Sequence, residues 1–250
     1  MIVTAKEAQS IAGERLRPTV RNLWLRFYPD YEKDAFEQQI AGLVKPEMSV
    51  LEIGAGSGRG RQNVFHLRGS CARYAGVDLD PRVLENPHLD EAFVADAAAL
   101  PFEDQSFDLV FHKMVAEHLT KPAAAIAETA RILKPGGLLL FETPSRFYYP
   151  MLIANLTPTS FHRYFVRRFG SGRTEEEVFT TLYGLNDRRT IDRLCRGAGL
   201  DPELTFRSTP PGYLRFSAVT FMLGVLYERC AERLFPPLRA LIWVRARKPH

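Results

Sequence analysis

One glycine-rich run dominates the sequence: Val50-Leu51-Glu52-Ile53-Gly54-Ala55-Gly56-Ser57-Gly58-Arg59-Gly60. Apolar residues lead to an acid, and glycine then alternates with small residues ahead of a polar, helix-compatible stretch, Gln62 to Leu67. This order is typical of a buried parallel strand that turns sharply into a helix. Glycine is needed where the backbone takes a positive φ or a ligand lies against it, and a helix N-terminus offers unpaired N–H groups. The turn is therefore expected to hold a ligand.

The spacing of the glycines separates two kinds of nucleotide-binding turn. A dinucleotide-binding turn has Gly-x-Gly-x-x-Gly, and counting from Gly54 and Gly56 places its third glycine at a position that is Arg59 here. The spacing is instead acid-x-Gly-x-Gly-x-Gly. It resembles motif I of the class I S-adenosylmethionine (SAM) methyltransferases, with Glu52, Gly54, Gly56 and Gly58 on the motif positions. The resemblance implies that these four residues belong to a SAM-binding site.

An acid suited to a ribose follows the glycine turn. The stretch from Arg73 to Pro81 is predicted to contain the second strand, which ends at Asp78, about twenty residues beyond the last glycine. A carboxylate at this point can accept hydrogen bonds from both ribose hydroxyls. The methyltransferase family places its ribose-binding acid in the same way, which implies a cofactor contact for Asp78 and for the adjacent Leu79. Asp80, followed by proline, is predicted to be the N-cap of the next helix.

A third segment, Ala92 to Phe102, also resembles the family. In the corresponding stretch an aspartate accepts a hydrogen bond from the adenine amino group, and the next backbone N–H meets the ring. The residue-by-residue match implies these roles for Asp96 and Ala97. An aspartate at the end of a lone strand would more often cap a turn, but its place in this series favours adenine recognition.

Candidate catalytic residues follow the predicted fourth strand, Ser106 to His112. Ligands of open α/β sheets bind beyond the carboxyl ends of the strands, so His112, Glu117 and His118 are expected close to the reacting methyl group. We take His118 as the first candidate for a general base and His112 as the second. A histidine that only packs in the core or caps a helix is the alternative for both, and Glu117 is expected to support the helix.

The sequence does not predict a metal site. The Glu117-His118 pair resembles the Glu-His of quinone-precursor O-methyltransferases, in which an acid three residues upstream helps to bind a metal. That position is Met114 here. Cys71, Cys195 and Cys230 are far apart and odd in number, which favours neither a zinc site nor a disulfide framework.

The remaining core elements continue the resemblance, which is strong from Val50 to Pro144. Pro122 to Leu133 is predicted to be a helix, Lys134 to Gly137 a turn, and Leu138 to Thr143 the fifth strand. The family implies an α/β, Rossmann-like class I methyltransferase fold. Its seven-stranded mixed sheet is flanked by helices, and the last strand is inserted antiparallel beside strand five.

We expect a single domain over residues 1–250, since the chain can bury one large core. Its expected segments are the N-terminal helices (1–45), the SAM-binding core (46–144), a substrate-side insertion (145–185), and C-terminal helices with the last two strands (186–250). The insertion is dense in aromatic and basic residues and is expected to form a lid over the acceptor. A surface helix is the alternative. Arg163, Arg167 and Arg168 are candidates for pairing with an anionic acceptor.

The C-terminal segment contains a predicted helix, Asn186 to Cys195, and two predicted strands, Leu204 to Ser208 and Leu241 to Arg245. Between the strands, Phe216 to Tyr227 is almost wholly apolar, but it is shorter than the roughly twenty residues that span a bilayer. A buried helix or a homodimer contact is the default interpretation. A helix lying on a membrane surface is the alternative.

Composition limits the partners. The formal charge of +4 is small and scattered, which does not favour nucleic acid. Residues 1–17 mix charges with short apolar pieces and lack the apolar core of a signal peptide. We therefore expect a cytoplasmic protein, with a peripheral membrane contact as the open alternative.

The sequence predicts an enzyme that transfers a methyl group from SAM to a small-molecule acceptor and releases S-adenosylhomocysteine (SAH). O-methylation is favoured, with N- or C-methylation of a natural-product, sugar or lipid-linked acceptor as the alternative. Two other classes stay open at this point. They are a non-catalytic SAM-binding protein and an NAD(P)-dependent reductase, against which Arg59 and the lack of a Tyr-x-x-x-Lys pair argue.

Overall fold

The computed structural model describes residues 17–32, 34–58, 67–156 and 181–250. The strands are β1 Ser49–Ile53, β2 Arg73–Asp78, β3 Glu91–Val94, β4 Phe107–Lys113, β5 Leu133–Pro144, β6 Asp201–Arg207 and β7 Leu241–Arg247. The α-helices are α1 Pro18–Phe27, α2 Ala35–Leu43, α3 Pro122–Ile132, α4 Tyr149–Leu156, α5 Arg188–Gly197 and α6 Ala218–Leu234. Short 3₁₀ helices are Pro81–Glu85, Ala116–His118, Gly212–Leu214 and Pro236–Leu238.

The described strands form one seven-stranded sheet in the order β3-β2-β1-β4-β5-β7-β6. The pairs β1–β2, β1–β4, β2–β3 and β4–β5 are parallel. β7 runs antiparallel to β5, because Gly136 at the start of β5 donates to the carbonyl of Lys248, whereas Ser145 just after β5 donates to that of Ala240. The predicted mixed sheet with an inserted last strand is confirmed.

The strand order reverses between β1 and β4, which is where open α/β sheets bind ligands. The central strands are buried on both faces, as their continuous apolar runs predict. Val50, Leu109 and Leu140 belong to one core cluster with Phe36 and Ile40 of α2. This packing holds the carboxyl ends of β1, β2 and β4 at one edge of the sheet, since the strands are parallel.

Two predictions of local structure were wrong. Lys134 to Gly137 is not a turn but the first part of β5, because the backbone of Gly136 and Gly137 pairs with that of Lys248. The helix predicted from Asn186 begins at Arg188, and its N-cap is Asp187, whose side chain accepts from the N–H of Thr190. The cap predicted for Asp80 is confirmed, although the helix that it begins is 3₁₀.

The chain divides into two compact units. Within the described residues, unit 1 comprises 17–32, 145–156 and 206–241, and unit 2 comprises 34–58, 67–144, 181–205 and 242–250. In unit 1, α1 packs on α6 through a cluster in which Val20, Phe221 and Val225 are buried. Unit 2 holds β1 to β5.

Some predictions lie outside the described residues. These include most of the helix predicted from Gln62 to Leu67 and the arginines Arg163, Arg167 and Arg168 of the predicted lid. The described parts of the 145–185 insertion are residues 145–156, which contain α4, and residues 181–185.

Candidate active site

The glycine turn follows β1 in a conformation that requires glycine. Gly54, Gly56 and Gly58 all have a positive φ, of 76°, 55° and 68°. Side chains other than glycine rarely adopt such values. A Cβ on Gly54 would also collide with the side chain of Val115. The N–H of Gly54 donates to the carbonyl of Val77 on β2 at 2.8 Å, which ties the turn to the neighbouring strand.

Asp78 lies at the carboxyl end of β2 beside this turn. Its Oδ2 accepts from the N–H of Gly56 and its Oδ1 from the N–H of Asp80, both at 2.9 Å. A carboxylate oxygen has two lone-pair sites, so these contacts leave each oxygen able to accept a second hydrogen bond. The adjacent side chain, Leu79, is 71% exposed. The structure thus brings together the glycine turn and the acid that the sequence predicted as partners.

Asn86 supports the turn from the other side and was missed from the sequence. Its side-chain amide donates to the carbonyls of Ala55 and Gly56, both at 3.1 Å, and it is buried. A Cβ on Gly58 would come within 2.5 Å of its Oδ1. No local sequence signal marks Asn86, because it follows the 3₁₀ helix Pro81–Glu85, thirty residues from the turn.

Glu52 is buried within the sheet, two residues before the turn. It is 3% exposed, and its carboxylate accepts a hydrogen bond from the hydroxyl of Tyr74 on β2. The hydrogen bond offsets part of the cost of burying the carboxylate and links the side chains of β1 and β2.

Asp96 and Ala97 follow β3 at the same edge of the sheet. The Oδ1 of Asp96 accepts from the N–H of Ala98 at 2.9 Å, so this side chain shapes a turn, as an aspartate at a strand end commonly does. Ala97 is buried and lines a small pocket together with Ile53 and His112.

His112 lies inside the sheet on β4. It is 4% exposed, and its ring stacks on that of Phe141 with centroids 4.7 Å apart. Within the described residues its Nδ1 has no hydrogen-bond partner. Burial lowers the pKa of His112 to about 3, so the imidazole is neutral at physiological pH.

His118 and Glu117 form the 3₁₀ turn that follows β4. His118 is half-buried, and its N–H donates to the carbonyl of Val115 at 2.9 Å. Glu117 is 5% exposed. Burial raises the pKa of the Glu117 carboxyl above its usual value, and the charge of His118 and the hydroxyl of Thr143 oppose only part of that rise. The two side chains therefore interact electrostatically at the end of β4.

A buried polar network holds Glu117. The hydroxyl of Thr143 donates to Glu117 Oε2 at 3.2 Å and accepts from the side-chain amide of Asn186 at 2.6 Å. That amide also donates to the carbonyl of Pro144 at 2.9 Å. The network joins the ends of β4 and β5. Thr143 and Asn186 were missed as site residues, since the sequence placed them in a strand and at a helix start.

Met114 adopts a positive φ of 54° between β4 and the 3₁₀ turn. This conformation is uncommon for a residue other than glycine and often occurs near functional sites. Its N–H donates to the carbonyl of Glu142 on β5 at 2.9 Å.

In the part of the chain that the structure describes, no group of three or more histidine, cysteine or acidic side chains could hold a metal ion.

Comparisons with known proteins agree with this geometry. A family model described as "Methyltransferase domain" matches residues 51–141. A probable S-adenosylmethionine-dependent methyltransferase of Mycolicibacterium smegmatis is 30% identical over 201 residues, which cover 77% of this chain and 71% of the relative. The ubiquinone/menaquinone biosynthesis C-methyltransferase UbiE of Laribacter hongkongensis is 33% identical over 116 residues, 43% of this chain and 48% of that protein. The chain spans about half the length of several other curated relatives.

Solved structures share the fold. The putative methyltransferase in complex with the Haloferax volcanii Trm112 activator has a TM-score of 0.53 and 20% identity. The similarity covers 94% of this chain and 98% of that one. At this identity the likeness is one of architecture.

Proposed function

The chain belongs to the SAM-dependent methyltransferases, and we propose that it methylates a hydroxyl group of a small-molecule acceptor. It is an enzyme whose methyl donor is SAM and whose coproduct is SAH. The observation that carries the proposal is that half-buried His118 directly follows buried Glu117 at the carboxyl end of β4, where the charge of His118 acts to lower the pKa of the Glu117 carboxyl. A hydroxyl acceptor must lose a proton, and a histidine backed by a carboxylate is suited to take it.

The cofactor site that we propose uses the edge built by β1, β2 and β3. The positive-φ glycines Gly54, Gly56 and Gly58 leave the backbone open to the methionyl end of SAM. Asp78 accepts hydrogen bonds from the ribose through its remaining lone pairs, and the exposed Leu79 offers an apolar contact beside it.

Adenine recognition is assigned to Asp96 and Ala97. Asp96 is half-buried after β3, and the buried Ala97 follows it directly in the chain. Glu52 supports the site through its bond with Tyr74. These roles fit the donor and acceptor groups that an adenosine presents.

When bound, SAM supplies an electrophilic methyl group on a positively charged sulfur. His118 takes the acceptor proton at a ring nitrogen, and the Glu117 carboxylate stabilises the imidazolium that forms. The Thr143 hydroxyl donates to that carboxylate, and the Asn186 amide in turn holds Thr143 in place. His112 is neutral and enclosed, so it contributes an apolar and aromatic wall and makes a poor base. Positioning of the acceptor supplies the rest of the rate acceleration.

C-methylation is the second candidate, because one relative carries that activity in its name.

We expect the residues that select the acceptor to lie in the 145–185 insertion, in which Arg163, Arg167 and Arg168 would bind an anionic group. The single-domain division, a homodimer and a cytoplasmic location stay predictions.

The test is SAH release with a panel of phenols, alcohols, amines and carbon acids, followed by mass spectrometry of the methylated product. An O-methyl ether or ester as the product of the best acceptor supports the proposal. An N- or C-methylated product overturns it and leaves the family assignment intact. The Asp78→Ala variant, assayed with SAM near the wild-type dissociation constant, should release less SAH than the wild type, because it binds SAM more weakly.

A further inference from the structure

One face of helix α6 in unit 1 is apolar and exposed to solvent. Val219, Met222, Leu223 and Leu226 recur at helical spacing and are 71%, 37%, 59% and 60% exposed. We call this row, with the exposed Cys230, the α6 face. The opposite side of the helix, including Phe221, is buried on α1. The helix is therefore apolar on both sides, but only one side is packed.

The rest of unit 1 repeats this imbalance. Of seventeen exposed large apolar or aromatic side chains in the described residues, twelve lie in unit 1, which has fewer described residues than unit 2. The twelve are Leu25, Phe147, Leu152, Ile153, Tyr213, Phe216, Val219, Met222, Leu223, Leu226, Leu234 and Phe235. An exposed apolar patch that is contiguous along a helix marks an interaction surface.

Positive charge accompanies the α6 face. Arg229 and Arg233 continue the Met222–Leu226 row at helical spacing, and both are exposed. The described residues of unit 1 contain nine arginines and four acidic residues. One of the four, Glu228, is buried, and burial raises the pKa of its carboxyl to about 7. The described part of unit 1 therefore carries a net positive charge.

We infer that the α6 face docks on a membrane surface that contains anionic lipid, with the helix lying in the plane of the interface. An apolar helix face flanked by arginine is the pattern of interfacial helices. Exposed Arg233 pairs with a lipid phosphate, whereas Arg229 already donates to Glu232 and to the carbonyl of Phe27. Among the described helices none is long and apolar enough to cross a bilayer. This inference goes beyond the proposed function and does not depend on the identity of the methyl acceptor.

The experiment is sedimentation of the full chain with vesicles of phosphatidylcholine and phosphatidylglycerol, against vesicles of phosphatidylcholine alone. We expect binding to the mixed vesicles that weakens as salt is added. Leu226→Asp should lower the partition coefficient more than about tenfold, since a charge then replaces a leucine that docking would bury in the membrane surface. A polarity-sensitive dye on Cys230 should shift to the blue with the mixed vesicles only.

Leu84→Asp is the matched control, because Leu84 lies in unit 2 and is 61% exposed, close to the 60% of Leu226. It should bind vesicles like the wild type. Circular dichroism and a thermal melt verify that both variants fold. The inference is overturned if the wild type stays in the supernatant with both vesicles. It is also overturned if light scattering finds a dimer that Leu226→Asp dissociates while no vesicle binding occurs, because the face would then join two copies of the chain.

Discussion

The backbone N–H of Gly56 donates a 2.9 Å hydrogen bond to the carboxylate of Asp78. The turn after β1 and the acid at the end of β2 are thus held together before any ligand arrives. Asn86 closes the arrangement by donating to the carbonyl of Gly56. When the donors and acceptors of a site are already in place, ligand binding loses less free energy to ordering the chain. We therefore expect this preorganisation to favour SAM binding at the glycine turn.

Gly54→Ala should destabilise the protein and abolish SAM binding. Gly54 has a φ of 76°, and an added Cβ would collide with Val115. We expect the free energy of unfolding to fall by more than about 1–2 kcal/mol, measured by urea denaturation. Gly42→Ala in α2 is the control, since no atom lies within 4 Å of its added Cβ, and it should be neutral or slightly stabilising. Equal stability of the two variants would refute the steric argument.

Thr143→Val should change the pH dependence of turnover. The Thr143 hydroxyl lowers the pKa of Glu117, so its removal raises that pKa, and the acidic limb of the kcat profile moves to higher pH. Thr143→Ser keeps the hydroxyl and should restore the wild-type profile. Because valine leaves the amide of Asn186 short of an acceptor, we also expect about 1–3 kcal/mol lower stability. Superimposable profiles for the valine variant and wild type would exclude this positioning role.

Glu228 in unit 1 should make stability depend on pH. Burial raises the pKa of its carboxyl from 4.5 to about 7, and Glu232 adds to the rise, while the hydroxyls of Tyr148 and Ser208 and the charge of Arg239 oppose it. The folded state thus binds the proton more tightly than the unfolded state. Protonated Glu228 therefore adds to the free energy of unfolding, by at most about 3 kcal/mol. This contribution is fully present below about pH 4.5 and is lost as the pH rises to about 7.

Glu228→Gln should flatten this part of the stability profile and be more stable than the wild type at pH 8, as measured by chemical denaturation across a pH series. The control is Glu203→Gln, at an exposed glutamate on β6 that is not among the groups acting on the Glu228 carboxyl. The account of Glu228 fails if the glutamine variant keeps the wild-type slope between about pH 4.5 and 7.

The fold was largely predictable from the sequence because its signals are local. The apolar runs before Glu52 and Asp78 mark parallel strands, and the glycine spacing marks the turn between β1 and the helix predicted from Gln62. The prediction failed at Lys134 to Gly137, where a proline and two glycines indicate a turn. Backbone pairing with Lys248, which is distant in the sequence, overrides that preference.

The supporting residues of the site were not predictable, since their roles arise from contacts between distant segments. Asn86 meets Gly56 across 30 residues, and Asn186 meets Thr143 across 43. In the α6 segment, the sequence could not predict which side of the helix is buried. A continuous apolar stretch predicts burial of the whole segment, whereas Phe221 is buried and Leu223 is exposed.

His118→Ala should lower kcat by about 10²–10⁴ for a hydroxyl acceptor, because general-base catalysis acts on the transition state. The dissociation constant of SAM should stay nearly unchanged. His250→Ala, at an exposed histidine, is the control for loss of an imidazole and should turn over like the wild type. Full turnover by the His118 variant, measured as SAH release at saturating acceptor, would remove His118 from the mechanism.

Calorimetric titration of SAM and SAH into wild type and Asp78→Ala tests whether Asp78 and the glycine turn form the SAM site. We predict that the wild type binds both ligands with a free energy of about −8 kcal/mol. The folded variant should bind both about ten- to a hundredfold more weakly, by the same factor, because ribose contacts do not involve the transferred methyl group. Wild-type affinity in folded Asp78→Ala would contradict the account.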